Sequence, residues 1–262
     1  MKVLHGMSDL SNSNSARKHL HPLTSLRFFA ALGVFVLHAG NHSLLDPFIY
    51  KFFDLSKSVS FFFVLSGFVL QYAYQFKDFS YRFFVRSRFA RIWPASMISF
   101  VFLLCLLPRA LYLPSPDAPY IVNFLSFASH ILCLQAFFPI PSIFYGFNAV
   151  SWSISVEAFF YFCFPFLMRL SFSRLFSLFC LVLISVFFLS YTFSYIQLPG
   201  FGPDKFNSVV WEGFSYINPF FRLPEFLIGV LISKIYFAPS SPRFSFSKYI
   251  PTFDRTLFSQ IL

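Results

Sequence analysis

Apolar residues in this chain are gathered into long runs, and polar or basic segments separate one run from the next. The runs cover residues 23–45, 59–74, 94–113, 120–139, 152–168, 175–195 and 214–236. A transmembrane helix needs about 20 predominantly apolar residues, because the hydrocarbon core of a bilayer is about 30 Å thick. Most of the runs approach that length, so the pattern predicts an all-α fold, a polytopic bundle of transmembrane helices.

The run at 120–139 is expected to differ from the others, because Pro139 and Pro141 interrupt it. If it crossed the membrane, Arg169 and Arg174 would lie outside, although cytoplasmic loops normally carry the excess of Lys and Arg. We therefore predict a re-entrant segment, which leaves six spans and places both termini in the cytoplasm. Irregular backbone at membrane depth is tolerated only inside protein or beside a water-filled cavity, so a cavity is expected.

The same pattern divides the chain into three regions. Residues 1–22 are polar and are predicted to be a cytoplasmic N-terminal segment, residues 23–237 form the transmembrane domain, and residues 238–262 form a basic cytoplasmic tail. No cleavage site of small residues closes the first run, so we interpret it as a retained signal anchor. A multi-pass integral membrane protein, surrounded by the lipid bilayer, is therefore expected.

Composition and charge exclude other classes of protein. Hydrophobic residues make up 57% of the chain and charged residues 11%, whereas a soluble domain carries about 25% charged residues. The net charge of +10 does not indicate a nucleic-acid partner, because the basic residues flank the apolar runs as the positive-inside rule requires. In the six-span topology few of the 20 Lys and Arg residues lie outside, namely Lys51, Lys57, Arg109, Lys205 and Arg222.

Arg27 and His38 are candidate functional residues in the first span. Their spacing of eleven residues corresponds to three helical turns plus about 20°, so both project from one face, about 16 Å apart along the axis. The predicted topology places Arg27 near the cytoplasm and His38 near the outer leaflet. Arg27 is either functional or a snorkelling anchor, and His38 is either a general base for a hydroxyl or a partner in a helix–helix hydrogen bond.

Glu157 is a carboxylate about two turns into a span that is predicted to start outside, so we expect it at a depth similar to that of His38. Ser153 lies four residues earlier, on the same helical face. An unpaired carboxylate inside a membrane costs several kcal/mol, so Glu157 needs a partner or a task. It either orients His38 and stabilises its imidazolium form, or pairs structurally with Arg222.

Arg86, Arg88 and Arg91 form a basic cluster before Pro94, which is predicted to open the third span on the cytoplasmic side. Such a cluster often sets topology and contacts anionic lipids. Alternatively it binds phosphate, because guanidinium groups hold phosphate oxygens in bidentate fashion.

Five segments in order resemble the acyltransferase-3 family of integral membrane acyltransferases, which includes bacterial O-acetyltransferases of surface polysaccharides. They are LTSLR at 23–27 leading to His38, FFVLSGF at 62–68, RFARIWP at 88–94, SWSISVE at 151–157, and RLPEF at 222–226 with Gly229.

The resemblance implies transfer of an acyl group from a cytoplasmic acyl-CoA to a hydroxyl of a surface glycan or lipid-linked sugar such as lipopolysaccharide. The expected acyl group is acetyl. It implies a bacterial plasma membrane location, no bound cofactor and no metal. His38 and Glu157 would then be catalytic. Arg27, Arg86, Arg88 and Arg91 would bind the acyl donor, and the supporting residues would be Trp152, Ser153, Arg222 and Glu225.

The chain also departs from the family pattern. Family members have about ten spans where this chain supplies about six, and Ala158 stands where the family often has a second acid. The deficit predicts a chain incomplete at its C-terminus, an inactive fragment, or an enzyme whose missing helices come from a second polypeptide. A transporter or flippase component is a rival hypothesis, because buried ionisable groups and broken helices suit a translocation path as well.

Overall fold

The computed structural model describes residues 21–41, 57–106 and 118–237, and within these ranges it contains helices and turns but no strand. The helices are α1 (His21–Asn41), α2 (Ser58–Tyr74), α3 (Tyr81–Leu106), α4 (Tyr120–Leu132), α5 (Pro141–Phe144), α6 (Trp152–Leu167), α7 (Phe172–Tyr195) and α8 (Pro219–Tyr236). Short 3₁₀ turns lie at Gln135–Phe137, Ala149–Ser151 and Pro203–Lys205, and a π-helical turn at Gly213–Ile217. The predicted all-α class is confirmed for the described ranges.

Three helical segments of the described chain are long and apolar enough to cross a membrane: Tyr81–Leu106, Ala149–Leu167 and Phe172–Tyr195. The structure does not confirm the predicted count of six spans. Helix α4 has 13 residues, and at 1.5 Å per residue it extends about 20 Å, less than the thickness of the hydrocarbon core. The predicted N-terminal segment and basic tail lie almost wholly outside the described residues.

Helix α6 lies at the centre of the core, and aromatic side chains attach it to its neighbours. Phe160 is fully buried; its ring stacks on Phe226 of α8 at 4.5 Å between centroids and meets Phe63 of α2 edge-on at 5.3 Å. Phe63 also contacts Trp152 at 6.3 Å. Each such pair contributes about 0.5–1.5 kcal/mol beyond the burial of its area. Helices α2 and α8 are therefore joined through α6 as well as directly.

The direct contact between α2 and α8 is the most extensive helix–helix contact of the described chain, and two glycines make it close. A Cβ atom on Gly67 would overlap the carbonyl oxygen of Phe226, and one on Gly229 would overlap the carbonyl oxygen of Val64. The same Cβ on Gly229 would stand 2.7 Å from the amide nitrogen of Phe68. Small residues of this kind allow helix backbones in membranes to approach each other closely.

Helix α8 is also tied to the end of α6 by Lys234. Its ammonium group donates hydrogen bonds to the carbonyl oxygens of Met168 and Leu170, both at 3.0 Å. The last carbonyl groups of a helix have no hydrogen-bond donor within the helix and carry partial negative charge. The Lys234 ammonium group supplies both a donor and a positive charge. The bend between α6 and α7 is thereby held against α8.

The third helix corrects the prediction for the basic segment. Helix α3 begins at Tyr81, so the arginines between Tyr81 and Pro94 are helical and Pro94 lies inside the helix instead of in its first turn. Arginine is a good helix former. Proline is tolerated within membrane helices where neighbours satisfy the freed backbone groups.

The last predicted run, 214–236, is divided in the structure. Gly213–Ile217 is π-helical, and the chain then turns at Asn218, whose side chain accepts a hydrogen bond from the amide of Phe220 at 2.9 Å. Pro219 follows at the first position of α8, where its missing N–H costs nothing. Pro224 lies within the continuous helix α8.

We predict that Gly229→Ala destabilises the protein, because the added Cβ has no space between α8 and α2. Overpacking of this kind costs about 1–3 kcal/mol, and it should appear as a lower midpoint of thermal unfolding in detergent. Gly200→Ala is the matched control, because the nearest atom to its Cβ is the Glu212 Oε1 atom at an ordinary 3.5 Å. Equal midpoints for the two variants would contradict the close crossing.

Candidate active site

A cavity of about 350 Å³ lies between α2, α3 and α6. Each helix contributes one stripe of residues spaced three or four positions apart, as one face of a helix requires. The lining residues are Ser66, Val69, Leu70 and Ala73 of α2, Arg88, Arg91, Ile92 and Ala95 of α3, and Ile154, Glu157 and Tyr161 of α6. The cavity therefore brings Glu157 together with two of the three arginines of the predicted donor-binding cluster.

Arg86, the third arginine of that cluster, does not line the cavity. It precedes Arg88 by two residues, which is about 200° around a helix, and its side chain is exposed. Of the predicted phosphate-binding set, the structure separates Arg86 from Arg88 and Arg91.

The register between α3 and α6 explains why Glu157 and the arginines meet. The ring of Tyr81 lies 5.3 Å from that of Phe166, and Phe84 lies 5.4 Å from Phe164, so the two helices run antiparallel. Counted from this shared end, Arg91 lies about 15 Å along α3 and Glu157 about 14 Å along α6. The two residues are thus at one level.

This shared level corrects the predicted separation between the arginines and Glu157. Sequence reasoning placed the arginine cluster before the third span and Glu157 close to the opposite surface. The cluster is inside α3 because that helix starts at Tyr81 and not at Pro94. Glu157, five residues after the start of α6 at Trp152, lies level with Arg91.

The side chain of Arg88 is held in place by aromatic residues. Its guanidinium donates a hydrogen bond to the hydroxyl of Tyr74 at 2.7 Å and lies over the rings of Tyr74 and Phe84, at 5.1 and 5.6 Å from their centroids. Its Nε atom is buried without a partner among the described residues. Aromatic faces attract the cation without neutralising it, so Arg88 retains its charge and an unused donor beside the cavity.

Glu157 accepts a hydrogen bond from Tyr161, with 2.5 Å between Oε1 and the tyrosine Oη atom. The two residues are four positions apart and therefore share one face of α6. Tyr161 is only 6% exposed and its ring belongs to the core. Sequence reasoning missed Tyr161, although its spacing from Glu157 in the sequence would have identified it.

A second polar cluster surrounds Arg222, which is 7% exposed. Arg222 pairs with Glu225 at 2.7 Å and donates from Nε to the carbonyl oxygen of Tyr216 at 2.7 Å. Its guanidinium lies 4.3 Å from the ring centroid of Tyr216 and 6.0 Å from that of Trp152. The alternative in which Glu157 pairs with Arg222 is therefore wrong.

Three of the predicted supporting residues, Trp152, Arg222 and Glu225, thus meet in this second cluster, and none of them lines the cavity. Ser153, the fourth, donates to the carbonyl oxygen of Val150 at 3.1 Å and also lies off the cavity.

Arg27 and His38 both lie on α1, which packs against α2. The structure describes the backbone of these two residues but not their side chains. Their predicted roles in donor binding and catalysis therefore stay predictions.

The chain matches the family model of the acyltransferase-3 acyltransferase domain over residues 21–252. It belongs to this family. It is 36% identical over 157 residues to "Acyltransferase MdmB" of Streptomyces mycarofaciens, and the match covers 58% of this chain and 40% of that relative. The chain therefore spans less than half the length of this relative. No solved structure matches the chain.

We predict that Glu225→Gln destabilises the protein, because it leaves the buried Arg222 guanidinium without its counter-charge. Breaking a buried pair by removing one partner costs about 3–5 kcal/mol, which thermal unfolding in detergent would detect. The control is Asp204→Asn, which removes an exposed ion pair in which the hydrogen bond from Lys205 lowers the pKa of Asp204. A stable Glu225→Gln protein with an unchanged midpoint would contradict a structural role for the pair.

Proposed function

We propose that this chain is a membrane O-acyltransferase that moves an acyl group, acetyl in the first instance, from a cytoplasmic acyl-CoA to a hydroxyl of a surface glycan or lipid-linked sugar. Membership of the acyltransferase-3 family supports the reaction class. The observation that carries the proposal is the cavity between α2, α3 and α6, where Arg88 and Arg91 share one space with Glu157.

The proposed topology places the contact between Tyr81 and Phe166 at the cytoplasmic side of a bacterial plasma membrane, with both termini cytoplasmic. Arg169 and Arg174 follow α6 at that end, in agreement with the positive-inside rule. The cavity then begins within reach of the cytoplasm, from which a charged CoA ester has to enter.

Arg88 and Arg91 are proposed to bind the phosphates of the donor. Guanidinium groups suit phosphate because they donate two parallel charge-assisted hydrogen bonds. Tyr74 and Phe84 already fix the orientation of Arg88, so less side-chain entropy is lost on binding. Arg27 would add a further positive charge from α1.

The proposed chemistry is a single acyl transfer. The acceptor oxygen attacks the thioester carbonyl carbon, the carbon–sulfur bond breaks, and CoA leaves as a thiol that receives the proton given up by the acceptor hydroxyl. His38 is proposed as the general base that takes this proton first, because a neutral imidazole accepts protons near neutral pH. The carboxylate of Glu157 is proposed to support the imidazolium that forms.

We predict that Arg88→Gln and Arg91→Gln each weaken binding of acetyl-CoA to the full chain in lipid nanodiscs. A hydrogen bond to a charged group contributes about 1.5–3 kcal/mol, which corresponds to roughly a 10- to 100-fold rise in Kd. Arg82→Gln is the matched control, because Arg82 lies on the same helix, is exposed and does not line the cavity. If all three variants had similar Kd values, Arg88 and Arg91 would not bind the donor. They would then set the topology or contact anionic lipids.

We predict that His38→Ala and His38→Gln both lose acyl transfer while the protein still inserts into the membrane. Positioned general-base catalysis contributes about 10²–10⁴-fold, and glutamine cannot accept the proton. The measurement is label transferred from acetyl-CoA to the glycan and lipid fraction of membranes, per amount of inserted protein. Substantial transfer by His38→Gln would remove His38 from catalysis, and no transfer by the wild-type chain would contradict the proposed function.

A further inference from the structure

We propose that Tyr161 is a positioning residue that keeps the Glu157 carboxylate from pairing with Arg88 or Arg91, so that both guanidinium groups stay available to an anionic donor. This inference rests on the proposed function, and it adds a role for a residue outside the predicted site.

Glu157 has two kinds of partner within its surroundings. Arg88 and Arg91 line the same cavity as Glu157 and Tyr161. A carboxylate near a guanidinium at low dielectric normally forms a bidentate ion pair. The carboxylate nevertheless takes its hydrogen bond from the hydroxyl of Tyr161, at 2.5 Å.

The tyrosine can hold the carboxylate because its own position is fixed. Its ring is buried in the core of the bundle and is 6% exposed, and a tyrosine has only two rotatable side-chain bonds to order. Glu157 is partly exposed to the cavity and its flexible chain would otherwise be able to swing towards α3. A rigid donor four residues away on the same helix therefore decides where the flexible acid rests.

The consequence for the cavity is a separation of opposite charges. If Glu157 closed onto Arg88 or Arg91, the ion pair would cross the space between α6 and α3 and occupy the donors that phosphate needs. With the carboxylate held by Tyr161, the cavity presents two cations from α3, a hydroxyl-bound carboxylate from α6, and the uncharged Ser66 from α2. Tyr161 thus acts on donor binding through Glu157.

The test is equilibrium binding of acetyl-CoA to the full chain in lipid nanodiscs, for wild type, Tyr161→Phe, Glu157→Gln and the double variant. Tyr161→Phe keeps the buried ring and frees Glu157, so its Kd should rise about tenfold, the factor of one charge-assisted hydrogen bond lost to the donor. Glu157→Gln removes the competing charge, so both this variant and the double variant should bind at least as tightly as wild type. Tyr81→Phe, which alters an exposed tyrosine that does not line the cavity, is the control and should leave Kd unchanged.

Restoration of affinity in the double variant is the decisive result, because a tyrosine that merely supports folding would not be rescued by a second substitution. An unchanged Kd for Tyr161→Phe, or a double variant as weak as Tyr161→Phe, would overturn the inference. If wild type binds acetyl-CoA and Arg91→Gln weakens it, such a result leaves the proposed function intact. Absence of acetyl-CoA binding by wild type would overturn both.

Discussion

The packing of Phe160 between Phe63 and Phe226 is the interaction on which the arrangement of this bundle depends. It fixes α6 against both α2 and α8, and α6 contributes residues to each of the two polar clusters. Trp152, at the start of α6, packs on the guanidinium of Arg222, and Glu157, five residues later, faces the cavity. The central position of α6 allows it to contribute residues to both polar clusters.

The two clusters use buried charge in opposite ways. Arg222 is surrounded by an acid, a backbone carbonyl and aromatic rings, so its charge is compensated and its contribution is structural. Arg88 contacts aromatic rings and a hydroxyl, and no acid is bonded to it within the described ranges, so its charge is not compensated there. Charged groups inside membrane domains are costly unless they are paired or functional. Arg222 is paired, and Arg88 is accordingly a candidate for the functional case.

The sequence predicted the elements more accurately than their relative positions. The apolar runs at 59–74, 152–168 and 175–195 correspond closely to α2, α6 and α7, because burial in lipid or protein requires apolar residues along a whole helix. The start of α3 was missed because Pro94 has the character of a first-turn proline, although helix continues through it.

The residues of the candidate site were predicted, but their relative positions were not. Residue types and spacing identified Glu157, Arg88 and Arg91, but the distance of a residue from the edge of an apolar run does not determine its level in the bundle. That level is set by contacts between distant parts of the chain, such as Tyr81 with Phe166. The hydrogen bond of Arg88 to Tyr74 depends on the same extension of α3, so no local pattern could have indicated it.

The crossing of α2 and α8 at Gly67 and Gly229 has a mechanical consequence. Because either glycine would collide with the opposite backbone if it gained a single carbon, there is no clearance for one helix to slide or rotate past the other. The close contact therefore ties the cavity wall supplied by α2 to α8, the helix that carries Arg222. Phe160 attaches α6, the second wall, to the same pair of helices. We therefore expect widening of the cavity during a reaction cycle to come from displacement of α3, the wall that carries the arginines.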